Sequence, residues 1–361
     1  MKAILVHAPV EKVVEEYDAP SYPHIGLAYV ATYGNKRGLD CKVVDCKFER
    51  IDLDELLDRL EEFRDEKEFI VGYTAMTHEI SRVNDVAKEV KRIFPQSLSI
   101  LGGVHVTALT DQCLEEFEVF DIGVTGEGEK TFLNLVNSIT DHATLKEVPG
   151  IVYRDNGNII CNQETGLKSD LDEIGFPDWS LFPKAKEYPI NIGRGCPVPC
   201  VFCMRASGTE SRFRSVENIL EEINELNNNY QLKMIHFFGD DFAANKELTH
   251  KLLDGLMTLR DKISWRAGMR VSHIDKEMLQ KMKRAGCEHF EIGVESGNKK
   301  ILKGIKKGIS LRKVEEVVKF SKEVGLDCWC YFILGHPNEN WDTAMDTVNF
   351  LCKINPTNAA I

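Results

Sequence analysis

Three cysteines fall close together, at Cys196, Cys200 and Cys203, in the spacing C-x3-C-x2-C. Thiolates so spaced are soft ligands, suited to zinc or to an iron–sulfur cluster. A structural zinc site closes four ligands, usually from two separated cysteine pairs. Here no second CxxC and no nearby His accompany the triplet. Three thiolates on a cubane [4Fe–4S] cluster would leave one iron open for a substrate. The spacing favours that reading over zinc or over a chance group of core cysteines. The other eight cysteines sit mostly in apolar or alternating runs and read as small buried hydrophobes; Cys328 and Cys330 alternate along one strand and share a face.

The elements around the triplet must bring its thiols together. Residues 188–192 form an apolar alternating run, and Gly193, Gly195, Pro197 and Pro199 then forbid regular structure. After this strand and tight loop, strands are expected at 233–238, 264–270, 289–295 and 327–334. Helices are expected at 216–227, 248–259, 276–285, 311–324 and 343–354, and 359–361 begins one more strand. The pattern predicts a parallel partial (β/α)6 TIM-type barrel over 188–361, with its chemistry at the carboxyl ends of the strands. Cys196, Asp240, Arg270, Glu295 and Glu339 fall at those ends. Each alone has a plainer role open to it: Asp240 or Asp241 as a helix cap, Arg270 as the partner of an acid.

The first third also alternates. Strands at 2–6, 41–44, 69–73, 98–101 and 120–124, with helices between them, predict a doubly wound, Rossmann-like (flavodoxin-like) α/β domain over 1–142. Such sheets bind ligands beyond the carboxyl ends of their strands. Three loops there carry unusual residues: His7-Ala8-Pro9 and the stretch on to Gly26, residues 101–107 (LGGVHVT) and residues 123–129 (GVTGEGE). Neither a G-x-G-x-x-G after the first strand nor a P-loop lysine motif is present. Residues 143–187 hold a hairpin around Asp155-Asn156-Gly157-Asn158 and read as a linker packed on the surface.

Length allows two domains, and 43% hydrophobic with 28% charged residues is ordinary globular composition. A net charge of −12 argues against a general nucleic-acid surface. No apolar run approaches the roughly 20 residues of a membrane span, and the start lacks a signal peptide. Eleven cysteines without a secretory signal point to a reducing, cytoplasmic setting.

The triplet, with Phe202 just before its last cysteine, resembles the signature of the radical S-adenosylmethionine (radical SAM) superfamily. The runs PHIGLAYVATY, GGVHVTAL and GEGEKTF are similar to the cobalamin-binding domain that precedes the barrel in one large branch of it. The resemblance implies a [4Fe–4S] cluster on Cys196, Cys200 and Cys203, whose open iron chelates the amino and carboxylate groups of S-adenosylmethionine. One electron then cleaves the sulfonium to a 5′-deoxyadenosyl radical. It implies S-adenosylmethionine contacts at Phe202, Gly239, Asp240 and Asp241 (amino group), Arg270 (carboxylate), Glu295 and Ser296 (ribose), with residues 333–339 supporting the adenine. It implies cobalamin contacts at Pro9, Thr74, Gly102, Gly103, His105, Gly126, Glu127 and Gly128. The D-x-H-x-x-G motif of other cobalamin folds is absent, and His105 reads as a packing residue rather than a cobalt ligand. The implied function is anaerobic: methyl transfer to an unactivated carbon of a small-molecule or peptide substrate, with methylcobalamin as donor and a flavodoxin or ferredoxin as electron source. Radical cyclisation or rearrangement is the alternative, and a cobalamin- or cluster-binding sensor without turnover is a third reading. Relatives usually complete a sixth strand and add a C-terminal extension, so the sequence is expected to be a truncated piece.

Overall fold

The structure, a computed structural model, describes residues 1–11, 19–163, 170–230, 232–259 and 262–361. It divides into two compact units, Met1–Ala185 and Lys186–Ile361.

Among the described residues, the first unit holds β1 (Lys2–His7), β2 (Asp40–Asp45), β3 (Phe69–Thr74), β4 (Ser97–Gly102), β5 (Ile122–Val124), β6 (Ile151–Asp155) and β7 (Asn158–Cys161). They form one sheet in the order β2-β1-β3-β4-β5-β6-β7. β1 to β5 pair in parallel. The near-continuous apolar runs of β1 and β3 are buried on both faces, as helices on both sides of a parallel sheet require. Because the chain leaves β1 for β2 on one side and returns to β3 on the other, a crevice is expected where the order reverses. The ends of β1, β4 and β5 carry the three loops marked in the sequence.

The stretch read as a linker is part of this unit. β6 and β7 extend the sheet as an antiparallel hairpin, β6 pairing with β5. Ile151, Val152 and Tyr153 are all buried, so the hairpin covers an edge that β5 alone would expose. Helix Val104–Glu116 is kinked at Thr110, whose φ of 32° breaks its two halves.

The second unit holds β8 (Glu187–Asn191), β9 (Gly193–Arg194), β10 (Arg212–Phe213), β11 (Met234–Phe238), β12 (Ser264–Gly268), β13 (Cys287–Glu295), β14 (Asp327–Phe332) and β15 (Asn358–Ala360). Six of them make a parallel sheet in the order β15-β14-β13-β12-β11-β8. Ile235, Phe237, Trp265, Phe290, Ile292, Cys328 and Cys330 alternate along it with less buried neighbours and supply one packed face. Cys328 and Cys330 share that face, their sulfurs 4.0 Å apart. β9 and β10 form a separate antiparallel pair flanking the cysteine loop. No helix among the described residues is long and apolar enough to cross a membrane.

Candidate active site

The cysteine loop leaves β9 through Gly195, which has φ +89°. A Cβ there would lie 2.0 Å from the Glu210 carbonyl oxygen, so only glycine closes this turn. The Gly195 N–H donates to Asp240 Oδ2 at 2.6 Å. Cys196 N–H donates to Gly208 O at 3.1 Å, and Cys203 N–H to Cys200 O at 3.2 Å. Cys200 is buried, Cys196 half-buried and Cys203 exposed. Among the described residues no three His, Cys, Asp or Glu side chains converge as a single metal ion would need. A cubane makes no such demand, because each thiolate binds a different iron. Three thiols on one pinned loop are a donor set of the kind such a cluster takes.

The strand ends around the loop sort the expected S-adenosylmethionine residues. Asp240, after β11, stays exposed with one oxygen on Gly195. Asp241 turns inward: Oδ1 accepts from Arg270 N–H at 3.0 Å and Ala243 N–H at 3.1 Å, and Oδ2 meets His273 Nδ1 at 2.6 Å. Ser296 is wholly buried, its hydroxyl bonded to Thr347 Oγ1 and to the Asn298 N–H. Asp241 and Ser296 thus shape turns, with little exposed surface of their own. Gly239 sits at the β11 turn with φ 159°.

Glu295 ends β13 at φ +67°, in a register shift against β14. Its Oε1 meets Lys307 Nζ at 2.6 Å, both side chains nearly buried. Lys307 Nζ also lies 5.6 Å from the centre of the Phe202 ring, whose other neighbour is His336 at 5.9 Å between centroids. Ile333 and Leu334 are exposed beyond β14. Lys307 and His273 escaped sequence reasoning. Lys307 lies in the lysine-rich run KGIKKGIS, where nothing local marks one lysine from the next.

In the first unit a buried polar group closes the ends of β1 to β3. His7 Nδ1 meets Asp45 Oδ1 at 2.8 Å, and His7 Nε2 faces Glu79 Oε1 at 3.8 Å. Lys47 Nζ reaches the same Glu79 oxygen at 2.5 Å. Asp45 Oδ2 accepts the His24 N–H at 2.8 Å, and His24 Nδ1 accepts the Leu27 N–H at 3.2 Å. Burial lowers the His7 pKa, but hydrogen bonds to Asp45 and Glu79 outweigh it and raise it above its ordinary 6.5. Desolvation, then the His7 charge, pushes His24 down to about 4. His7 with a carboxylate at each nitrogen has no lone pair for a metal, and His24 spends its Nδ1 pair on Leu27. The raised His7 pKa stabilises the fold below 6.5, and the contribution is lost as pH rises through the folded value. The unfolding temperature of the cofactor-free protein should therefore fall as pH rises above 6.5, and His7→Gln should flatten that fall. Equal alkaline slopes for the two proteins would refute this.

The expected cobalamin residues fall at strand ends of the same unit. The Pro9 carbonyl accepts from Arg82 Nε at 3.1 Å. Thr74 ends β3 and Gly102 ends β4, followed by Gly103 at the N-cap of helix Val104–Glu116. His105 is buried, Nδ1 3.3 Å from Thr77 Oγ1 and its ring edge-on to Phe117, with Nε2 unpartnered; burial lowers its pKa. The Gly126 N–H donates to Thr107 Oγ1 at 3.1 Å, and Glu127 and Gly128 open helix Gly128–Thr140. Both helices start without a side-chain cap, and the Ala75 carbonyl takes the His105 N–H of the first at 3.1 Å. Met76, Val104 and Leu109 stand exposed beside them, an apolar rim of the kind a corrin face would cover.

Residues 190–351 match the radical SAM superfamily, and residues 13–136 match the B12 binding domain. An uncharacterized methyltransferase of Pyrococcus horikoshii is 32% identical over 98% of this chain and 78% of its own length. The anaerobic magnesium-protoporphyrin IX monomethyl ester cyclase of Cereibacter sphaeroides is 27% identical over 96% of this chain and 59% of its own. Among solved structures, the radical S-adenosylmethionine methyltransferase TsrM of Kitasatospora setae, with tryptophan and a SAM analogue bound, has the same fold. It superposes with a TM-score of 0.82 at 19% identity, covering all of this chain and 72% of TsrM. The cofactors of such a chain are a [4Fe–4S] cluster, S-adenosylmethionine and cobalamin. With a radical SAM match over one unit, a B12-binding match over the other and a methyltransferase relative along nearly its whole length, the chain belongs to the family of cobalamin-dependent radical SAM methyltransferases.

Proposed function

We propose that the protein moves a methyl group from S-adenosylmethionine to an unactivated carbon of a small-molecule or peptide substrate. The observation that carries this reading is the presence of both seats in one chain: the pinned thiol loop beside β9, and the uncapped, apolar-rimmed strand ends of β3 to β5. When bound, the cluster with S-adenosylmethionine supplies a carbon-centred radical and cobalamin supplies a methyl carrier. The chain positions them. Cys196, Cys200 and Cys203 hold the cluster. The exposed Asp240 carboxylate suits the ammonium of S-adenosylmethionine. Glu295, oriented by Lys307, serves the ribose hydroxyls, and Phe202 shields the loop. Pro9, Thr74, Gly102, Gly103, Gly126, Glu127 and Gly128 receive the corrin, and His105 supports them from the first turn of helix Val104–Glu116. An external flavodoxin or ferredoxin supplies the electron.

The test is anaerobic incubation of reconstituted protein with dithionite, cobalamin and S-adenosylmethionine carrying a deuterated methyl group. Label on the corrin together with S-adenosylhomocysteine is expected, and no substrate is needed to see it. Likeness to the cyclase along 96% of the chain favours ring formation as the second reading. In that case 5′-deoxyadenosine accumulates while neither label transfer nor S-adenosylhomocysteine appears. If none of these products forms, both readings fall and a sensor remains.

A further inference from the structure

The side chain of Arg270, at the end of β12, is fixed from two sides. Its Nη1 lies 3.9 Å from Cys200 Sγ, and its Nη2 donates to the Lys307 carbonyl at 2.6 Å. Its backbone N–H is held by Asp241, whose other oxygen is held in turn by His273. Three successive carbonyls of the segment after helix Lys299–Gly304 serve this corner. Ile305 O accepts the Val201 N–H at 3.0 Å, Lys306 O lies 3.9 Å from Cys200 Sγ, and Lys307 O takes the guanidinium. Lys306 adopts φ +55° to do so, a conformation uncommon for a residue with a side chain, and Gly308 follows at φ +69°. Residues 305–308 thus form a strap that presses on the cysteine loop and aims Arg270 at one of its thiols.

We propose that Arg270 is a positioning residue of the cluster that raises its reduction potential, and does not bind the S-adenosylmethionine carboxylate. Reduction adds one electron from an external low-potential donor to [4Fe–4S]2+ and makes or breaks no bond. The reduced cluster carries one more negative charge, which a fixed cation and an N–H aimed at a ligand sulfur both stabilise. With Nη1 on Cys200 and Nη2 on Lys307, the Nη1/Nη2 edge that would grip a carboxylate with two parallel bonds is already engaged. The inference rests on the cluster alone and holds whichever carbon is methylated.

The experiment is an anaerobic redox titration of the reconstituted full chain, read by the paramagnetic signal of the reduced cluster. Iron content and S-adenosylmethionine affinity are measured beside it. At the wild-type midpoint, Arg270→Met with full iron should show a reduced-to-oxidised ratio about tenfold lower, equivalent to 59 mV for one electron. Arg270→Lys, which keeps the charge and loses the fork, should fall between the two. An unchanged ratio with weaker S-adenosylmethionine binding would overturn the proposal and return Arg270 to the carboxylate. If Arg270→Met cannot hold iron, Arg270→Gln decides: it keeps an N–H without the charge, and its ratio must also drop.

Discussion

Lys307→Met should destabilise the Lys186–Ile361 unit by about 3–5 kcal/mol, the cost of leaving a buried carboxylate without its partner. Glu295 and Lys307 are both more than nine-tenths buried, and the folded-back Glu295 side chain lies over Gly293. A Cβ on Gly293 would lie 2.3 Å from Glu295 Oε1 and 2.8 Å from Lys307 Nζ, so the pair has no slack in which to rearrange. Water cannot easily replace the ammonium, and the loss falls on folding. Urea unfolding of the cofactor-free full chain measures it, followed by tryptophan fluorescence, since Trp265, Trp329 and Trp341 lie in this unit. The double variant Glu295→Gln with Lys307→Met removes both charges and should regain most of the loss. A cost below about 1 kcal/mol for Lys307→Met would mean that the pair behaves like a solvated surface bridge, against the geometry.

Gly195→Val should lower the iron bound on reconstitution by at least tenfold, a factor on the order of the 1–3 kcal/mol that a strained non-glycine conformation costs. Overlap with Glu210 O adds to that strain, and the turn cannot open without dragging the Gly195 N–H from Asp240. The sheet does not depend on this turn, so the far-UV circular dichroism should stay native. A variant that binds the full complement of iron would show that the loop tolerates another path.

Both predictions turn on residues that the sequence reveals unequally. Gly195 was legible, because a glycine beside a C-x3-C-x2-C run marks a backbone that must turn sharply. The alternation of β1 to β5 and β11 to β14 with helices was legible for the same local reason, period and punctuation. Lys307 was not. Its partner is twelve residues away across a short helix, Lys299–Gly304, that has too few apolar positions to show a period. The inward turn of Asp241 was equally hidden, since adjacent aspartates after a strand look alike until the N–H groups of Arg270 and Ala243 claim one of them. The hairpin of β6 and β7 looked like a linker because an antiparallel extension of a parallel sheet leaves no mark on either strand alone.

The strap over the cysteine loop also has a bearing on biogenesis. The ligands lie at 196–203, but the carbonyls that brace Val201, Cys200 and Arg270 arrive only with residues 305–307. A nascent chain displays its thiols to solvent about a hundred residues of synthesis before their support exists. The braced form of the loop, with Val201, Cys200 and Arg270 all held, therefore exists only once residues 305–307 have been made.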